Sequence, residues 1–401
     1  MGLILNDLKN ACELEHVCDY VNNRTTSSMN YISTENMLPN KGGISESTII
    51  PPGTTTEYKI GDILISNIRP YFQKIWCADR CGGCSADVLC IRAKENTDSK
   101  YLYYLLSQQA FFDYVMSGAK GCKMPRGDKK QIMQWPVNIP AIDVQKKVVA
   151  ILSSLDNKIR LNRRINDNLE EQAKALFKSW FVDFEPFKGG KFVDSKLGPI
   201  PEGWSIGKVN DVVQILSGFA FKSETFVQSG PYRLITIKGV QDGYLDISGA
   251  SYISKVPLKM PAYCNLEIGD ILLSLTGNVG RVCIVDRPNL LLNQRVAKLQ
   301  PRRDKQDLLF VYILFRQDTF KNHLLQIARG TAQLNLSPVE TREISIILPP
   351  ANVLLEFSKI GQYLFDKIAL SNQETLRLSA LRDTLLPKLM SGELSVEEVS
   401  F

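Results

Sequence analysis

Two stretches of this sequence gather cations, amides and hydroxyls on glycine-containing loops. "GAKGCKMPRGDKK" carries Lys120, Lys123, Arg126, Lys129 and Lys130 against the single acid Asp128, and "ARGTAQLNLS" carries Arg329, Thr331 and Gln333. Glycine lets the backbone come close to a phosphate, lysine and arginine neutralise it, and guanidinium and amide groups suit base edges. A second pair of loops has the same character: "NIRPYFQK" with Arg69, Tyr71 and Lys74, and "SLTGNVGR" with Thr276, Asn278 and Arg281. Lys222, closing "SGFAFKS", joins these as a candidate contact to DNA. Taken singly, such a loop is more often a solvated surface.

Catalytic raw material is scarce. The sequence has no G-x-x-x-x-G-K-[ST] phosphate loop, no G-x-G-x-x-G after a strand and no G-x-S-x-G elbow. Only His16 and His323 are available for histidine-based triads, and both read as structural. No Asn-Pro-Pro-aromatic motif is present; "IPPG" and "LPPA" read as strand-end loops, and "DNK" at 156 falls on a helix. No catalytic, cofactor-binding or metal-binding residue is therefore assigned, and the chain reads as a recognition protein, not an enzyme. Cys77, Cys81, Cys84 and Cys90 crowd "CADRCGGCSADVLC", where Cys81 and Cys84 have zinc half-site spacing. No second half-site follows, so a metal site and ordinary reduced cysteines in and beside a core stay open.

The elements that hold these loops repeat. "IGDILIS" at Ile60 returns as "IGDILLS" at Ile268, an offset of 208, and Gly121 falls on Gly330 at 209. "VNIP" ending at Pro140 matches "IILP" ending at Pro349, again at 209. The period is far longer than the roughly 20–50 residues of a solenoid, so the chain reads as two tandem copies of one unit. Each begins with mixed α and β, including one short helix, "SKYLYYLLSQQAFFDYVMS" or "DLLFVYILFRQDTFKNHLLQIA". Each ends in one long helix, about 142–182 and 353–390, or roughly 60 Å at 1.5 Å per residue.

The long helices carry an apolar seam with a polar fault. It runs through Leu155, Ile159, Asn162, Asn166 and Leu169, and 209 residues later through Leu364, Ile368, Ser371, Thr375 and Leu378. A polar break kept in both copies predicts the two helices packed on each other as a coiled coil, where buried polar groups cost stability but fix register. A break where the helix turns to solvent is the alternative. The expected fold is α+β: two tandem α/β recognition domains, at 1–140 and 204–349, separated by two long helices forming an antiparallel coiled coil. The helices fall at 141–185 and 350–401, with a Pro/Gly-rich linker at 186–203.

The net charge of +6 permits a polyanionic partner without demanding one. No apolar run reaches the roughly 18–20 residues of a membrane span, and the N-terminus lacks signal-peptide character. The expected compartment is the cytoplasm, with no membrane partner.

These residues resemble the specificity subunit of type I restriction–modification enzymes. "IPAIDVQKKVVAILSSLDNKIRLNRRINDNLEEQAKALFKSWFVDFEPF" looks like that family's central conserved helix, and "LRDTLLPKLMSGEL" looks like its C-terminal one. "LGPIPEGWSIGKVNDVVQILSGFAFKS", "IGDILLSLTGNVGRVCIV", "LNQRVAKLQP" and "RGTAQLNLS" resemble its second target-recognition domain. The first domain departs most, with "IRPYF" in place of "TGNVG". The resemblance implies two domains that each grip half of a split site in double-stranded DNA, with the paired helices as a ruler. It also implies two methyltransferase subunits docked on the helices, and a restriction or motor subunit in systems that cleave. S-adenosylmethionine, Mg2+ and ATP are then expected only in those partners, with no cofactor in this chain. The reading from another class is a coiled-coil scaffold with two protein-binding heads and no DNA role.

Overall fold

The computed structural model describes residues 11–26, 30–47, 53–121, 123–247, 249–303, 307–330 and 333–398. They form two compact units. The first runs to Lys158 and resumes at Leu378; the second is Ile159–Arg377. Each long helix is thus shared between the two.

The first unit is built on a four-stranded sheet in the order Cys18–Tyr20, Val88–Ala93, Ile63–Ser66, Ile75–Cys77, antiparallel throughout. The second unit repeats it as Val213–Ser217, Val296–Pro301, Ile271–Ser274, Val282–Ile284. Successive side chains on a strand face opposite ways, and both copies use this to feed two cores. Ile63 and Ile65 enter the core that holds the short helices, while Leu64 enters a second core with Tyr58 and Trp76. Ile271 and Leu273 divide from Leu272 in the same manner. A further sheet lies in each unit, three-stranded in the first and five-stranded in the second.

The turn entering the central strand explains the repeated "IGD". Gly61 and Gly269 have φ of +89° and +93°, a conformation that costs other residues. Asp62 and Asp270 then accept from the backbone N–H of Lys59 and Glu267, at 2.8 and 2.9 Å. Each carboxylate also binds a cation on the neighbouring strand: Arg92 at 2.7 Å and Lys298 at 2.8 Å.

Each expected short helix is in fact two. Ser99–Leu106 is followed by Gln109–Ser117, and Leu308–Arg316 by Asp318–Ile327. The apolar spacing continues through both breaks, so periodicity alone does not reveal them. Gln317 takes extended angles (φ −66°, ψ 133°) and ends the first helix of its pair.

The long helices are Ile142–Phe181 and Ala351–Ser391. The first contains no Gly or Pro, and carries Asp143 in its first turn and Lys178 in its last, which suits the helix dipole. The second tolerates Gly361 because Leu309 packs there; a Cβ would lie 1.9 Å from Leu309 Cδ2.

Within the second unit the polar seam residues meet the other helix. The Asn162 side chain, 2% exposed, donates to Glu374 at 2.8 Å, and Ser371 donates to the Asn162 carbonyl at 3.3 Å. Asn166 donates to Asn372 at 2.7 Å. Farther along, Phe177 and Phe181 meet Phe357, so partner numbers fall as residue numbers rise and these segments run antiparallel. Glu374 and Asn372 are absent from the sequence-based seam. Asn166 Oδ1 and Thr375 Oγ1 are buried with no partner among the described residues, each costing about 1–3 kcal/mol. Among the apolar seam positions, Leu155, Ile159 and Ile368 are buried, while Leu169, Leu364 and Leu378 are half-buried.

A tyrosine fixes the first long helix in each unit. Tyr104 donates to Asp156 at 2.7 Å, and Arg382 reaches the same carboxylate at 2.9 Å. Tyr312, 208 residues after Tyr104, donates to Glu170 at 2.5 Å, and Arg316 pairs with that carboxylate. Burial pushes the Tyr312 phenol well above its ordinary pKa. Phe177, Phe181 and Phe357 belong to the same core, with the Phe181 and Phe357 rings 4.7 Å apart.

No helix among the described residues is long and apolar enough to cross a membrane.

Candidate nucleic-acid interface

The four candidate loops are joined two by two, once in each unit. In the first, Ile68 bridges Arg126, the Arg69 N–H donates to the Pro125 carbonyl at 2.8 Å, and the Gly127 N–H donates to Asn67 at 3.3 Å. Lys120 and Arg126 exchange backbone hydrogen bonds of 2.9 and 3.0 Å. In the second, Thr276 bridges Asn335, the Gly277 N–H donates to Leu334 at 2.8 Å, and Arg329 and Asn335 exchange bonds of 3.0 and 2.7 Å. The paired positions lie 208 apart (Ile68 and Thr276) or 209 apart (Arg126 and Asn335; Lys120 and Arg329). The repeat therefore extends to the backbone joint itself.

Glycine makes the joint possible. Gly121 and Gly330 have φ of +98° and +119°, and a Cβ on Gly330 would lie 2.3 Å from the Gln333 carbonyl oxygen. The following short helices are capped at equivalent places. Asp128 accepts from the N–H groups of Lys130 and Gln131, and Ser337 accepts from that of Glu340. Lys129 and Lys130 therefore sit on a helix, Lys129–Met133, and not in the basic loop where the sequence reading puts them.

The first joint is strongly cationic. Lys120 pairs with Asp128 at 3.1 Å while 84% exposed, and its hydrogen bond leads the interactions holding the Asp128 carboxyl below its usual range. Arg126 pairs with Asp87 at 3.0 Å and stays 56% exposed. Lys123, Lys129 and Lys130 are exposed. Lys74 is turned inward: its ammonium donates to the Thr34 carbonyl at 2.7 Å, and burial lowers its pKa. Tyr71 and Phe72 are exposed, with ring centroids 4.6 Å apart.

The second joint is polar with fewer cations. Arg329 is exposed and pairs with Glu340; Arg281 donates to Gln241. The side chains of Asn278 and Gln333 are exposed. Thr276 is buried, and its hydroxyl donates to Asn335 at 2.7 Å, so it belongs to the joint's interior. Thr331 lies outside the described residues. Lys222 stands elsewhere, before the turn Ser223–Thr225, with its ammonium 3.6 Å from Glu224. Sequence reasoning missed Asn335 and Gln241. Asn335 was findable, since it lies 209 residues after Arg126; Gln241 is brought in by tertiary placement alone.

The cysteine cluster divides between the cores and the surface. Cys84 and Cys90 are buried in one core, Cys77 is half-buried, and Cys81 is exposed. No metal-holding group of three or more His, Cys, Asp or Glu occurs among the described residues.

A family model described as the type I restriction modification DNA specificity domain matches residues 10–171 and again 201–379. The chain is 29% identical over 314 residues to the type I restriction enzyme MjaIX specificity subunit of Methanocaldococcus jannaschii, spanning 76% of this chain and 71% of that one. It is 26% identical over 441 aligned residues to the HindI specificity subunit of Haemophilus influenzae, spanning 91% and 94%. A crystal structure of a type-I restriction-modification S subunit from M. genitalium aligns over 96% of this chain and 97% of its own, at 16% identity and a TM-score of 0.49.

Proposed function

The chain belongs to the family of type I restriction–modification DNA specificity proteins, and from that premise we propose that each copy reads one half of a split target in double-stranded DNA. The observation that carries this reading is the twice-built joint, Ile68 with Arg126 and Thr276 with Asn335, presenting unlike exposed side chains from one backbone plan. Two different half-sites need a shared scaffold with different reading residues. Membership in a DNA-specificity family speaks against a scaffold with protein-binding heads.

The recognition segments are 1–140 and 204–349, with linker 186–203 and helical segments 141–185 and 350–401. The helices act as an antiparallel coiled coil whose polar contacts fix the register and so the gap between half-sites. In support, Asn162 and Asn166 each bind a partner on the other helix. Lys120, Lys123, Arg126, Lys129 and Lys130 neutralise phosphates, with Arg329 and Lys222 doing so in the second copy. Asn278, Arg281, Thr331 and Gln333 contribute to the second half-site, and Arg69 and Tyr71 to the first. Lys74 and Thr276 support these loops from behind. Two methyltransferase subunits dock on the helices, joined by restriction or motor subunits where the system cleaves. S-adenosylmethionine, Mg2+ and ATP serve those partners, and the complex works in the cytoplasm.

Selection of randomised duplexes on the purified chain tests this. Two enriched blocks separated by a fixed gap are expected, with methyl transfer appearing only when a methyltransferase subunit is added. Absence of any enriched sequence, or methylation by the chain alone, overturns it.

A further inference from the structure

The two copies solve the same backbone problem with different residues. The loop joined to the basic hairpin in the first unit needs left-handed backbone at both ends of its tight turn, where Arg69 and Gln73 each have φ of +51°. The equivalent loop of the second unit places glycine there: Gly277 at +73° and Gly280 at +80°. Gly277 is 208 residues after Arg69; the first loop is one residue longer, which shifts Gly280 against Gln73. A left-handed conformation costs a non-glycine residue roughly 1–2 kcal/mol, and such strain collects at functional sites. Gln73 has a structural use, since its amide donates to Gln109 at 2.5 Å.

No side-chain partner of this kind holds Arg69 among the described residues. Its Nε is buried with no hydrogen-bond partner among the described residues, a desolvated donor that the fold does not satisfy. Its charge also stands near Lys74, whose ammonium burial chiefly disfavours; Glu35 favours it and Arg69 disfavours it further. The fold thus holds a strained backbone, an unsatisfied donor and a like-charge neighbour at one residue, where glycine would remove all three. What the side chain offers is a planar fork of donors. Its main chain is pinned by the 2.8 Å bond from its N–H to the Pro125 carbonyl, beside the exposed Lys123 and Arg126. The exposed Tyr71–Phe72 ring pair follows it in the same turn.

We propose that Arg69 is a specificity-determining residue of the first half-site, its guanidinium reading a guanine through the O6 and N7 acceptors of the major groove. This rests on the DNA reading above and goes past it by naming the base and the residue. A phosphate contact would need only positive charge, which Lys120, Lys123 and Arg126 already supply nearby. A bidentate base contact needs the guanidinium fork, which lysine cannot replace. In the second copy, Gly277 leaves this position without a reader, so the two half-sites differ here in kind.

The test compares the full chain with Arg69→Gly and Arg69→Lys, each selected against the same library of randomised duplexes and melted thermally. Expected in both variants is loss of one guanine preference in one block, by roughly ten- to a hundredfold, with the other block unchanged. Arg69→Lys should keep wild-type affinity for scrambled duplex. Arg69→Gly should melt no lower than wild type, because relief of strain offsets the added chain entropy. Retained preference at every position in both variants overturns the inference while leaving the wild-type selection, and so the DNA reading, intact. A lowered melting temperature in Arg69→Gly with unchanged preferences also overturns it, by making Arg69 a folding residue. A wild-type chain that enriches no sequence overturns this inference together with the reading beneath it.

Discussion

Lys120, Lys123 and Arg126 occupy one short hairpin whose backbone is closed on itself by the Lys120–Arg126 bonds. Their side chains can be removed without touching that closure. The triple substitution to Ala should weaken binding to every duplex and lower the salt dependence of log K by about 2.7, or roughly 0.9 for each lost phosphate contact. Gln333→Ala should act differently, relaxing preference at particular bases of one half-site. Titration at several salt concentrations separates the two; an unchanged slope in the triple variant would remove this hairpin from the DNA backbone. Much of this residue-scale picture is legible in the sequence, because glycine at Gly121 and Gly330 and polar residues around them recur at one offset. What the sequence hides are partners from distant segments. The Thr34 carbonyl takes up Lys74 and Asn335 takes up Thr276, so two candidate contacts have their polar atoms held within the chain.

The long helices show the same division at the scale of elements. Their existence and bounds follow from apolar spacing and, in the first helix, from the lack of breakers. Their contacts do not, because many partners satisfy one apolar pattern. Glu374 and Asn372 answer Asn162 and Asn166, yet neither lies on the stepped seam. The Tyr–carboxylate lock is equally hidden: Tyr104 and Tyr312 are equivalent, but Asp156 and Glu170 are not. The pair Glu170–Arg316 has both side chains 11% exposed. Breaking it by Arg316→Met leaves the buried carboxylate held by Tyr312 alone and should cost about 3–5 kcal/mol, whereas adding Glu170→Gln, which removes the charge and keeps an acceptor for Tyr312, should restore much of the loss. Denaturant melts of the single and double variants measure this; equal loss in both would mean the pair contributes nothing beyond packing. Asn162→Leu with Asn166→Leu should raise stability by about 1 kcal/mol, since Asn166 Oδ1 is already unsatisfied. The same variant should broaden the gap between half-sites, and a sharp, unchanged gap would deny the asparagines a role in register.

At the scale of the whole molecule, the proposed function has two copies of one scaffold reading two half-sites, with the paired helices setting the distance between them. Duplication is legible from the repeated "IGDIL" and Gly121/Gly330, and the family model matches the chain twice. The division of each long helix between two compact units is not legible, since nothing in the apolar pattern changes at Lys158 or Arg377. The most direct measurement lengthens both helices together by four residues, after Asn162 and after Ser371, whose hydroxyl donates to the Asn162 carbonyl. Four residues add roughly 6 Å of helix, close to two base pairs at about 3.4 Å each. Duplex selection on this variant should return both half-site sequences unchanged with a gap longer by one or two base pairs. An unchanged gap, or altered half-site sequences, would contradict the account.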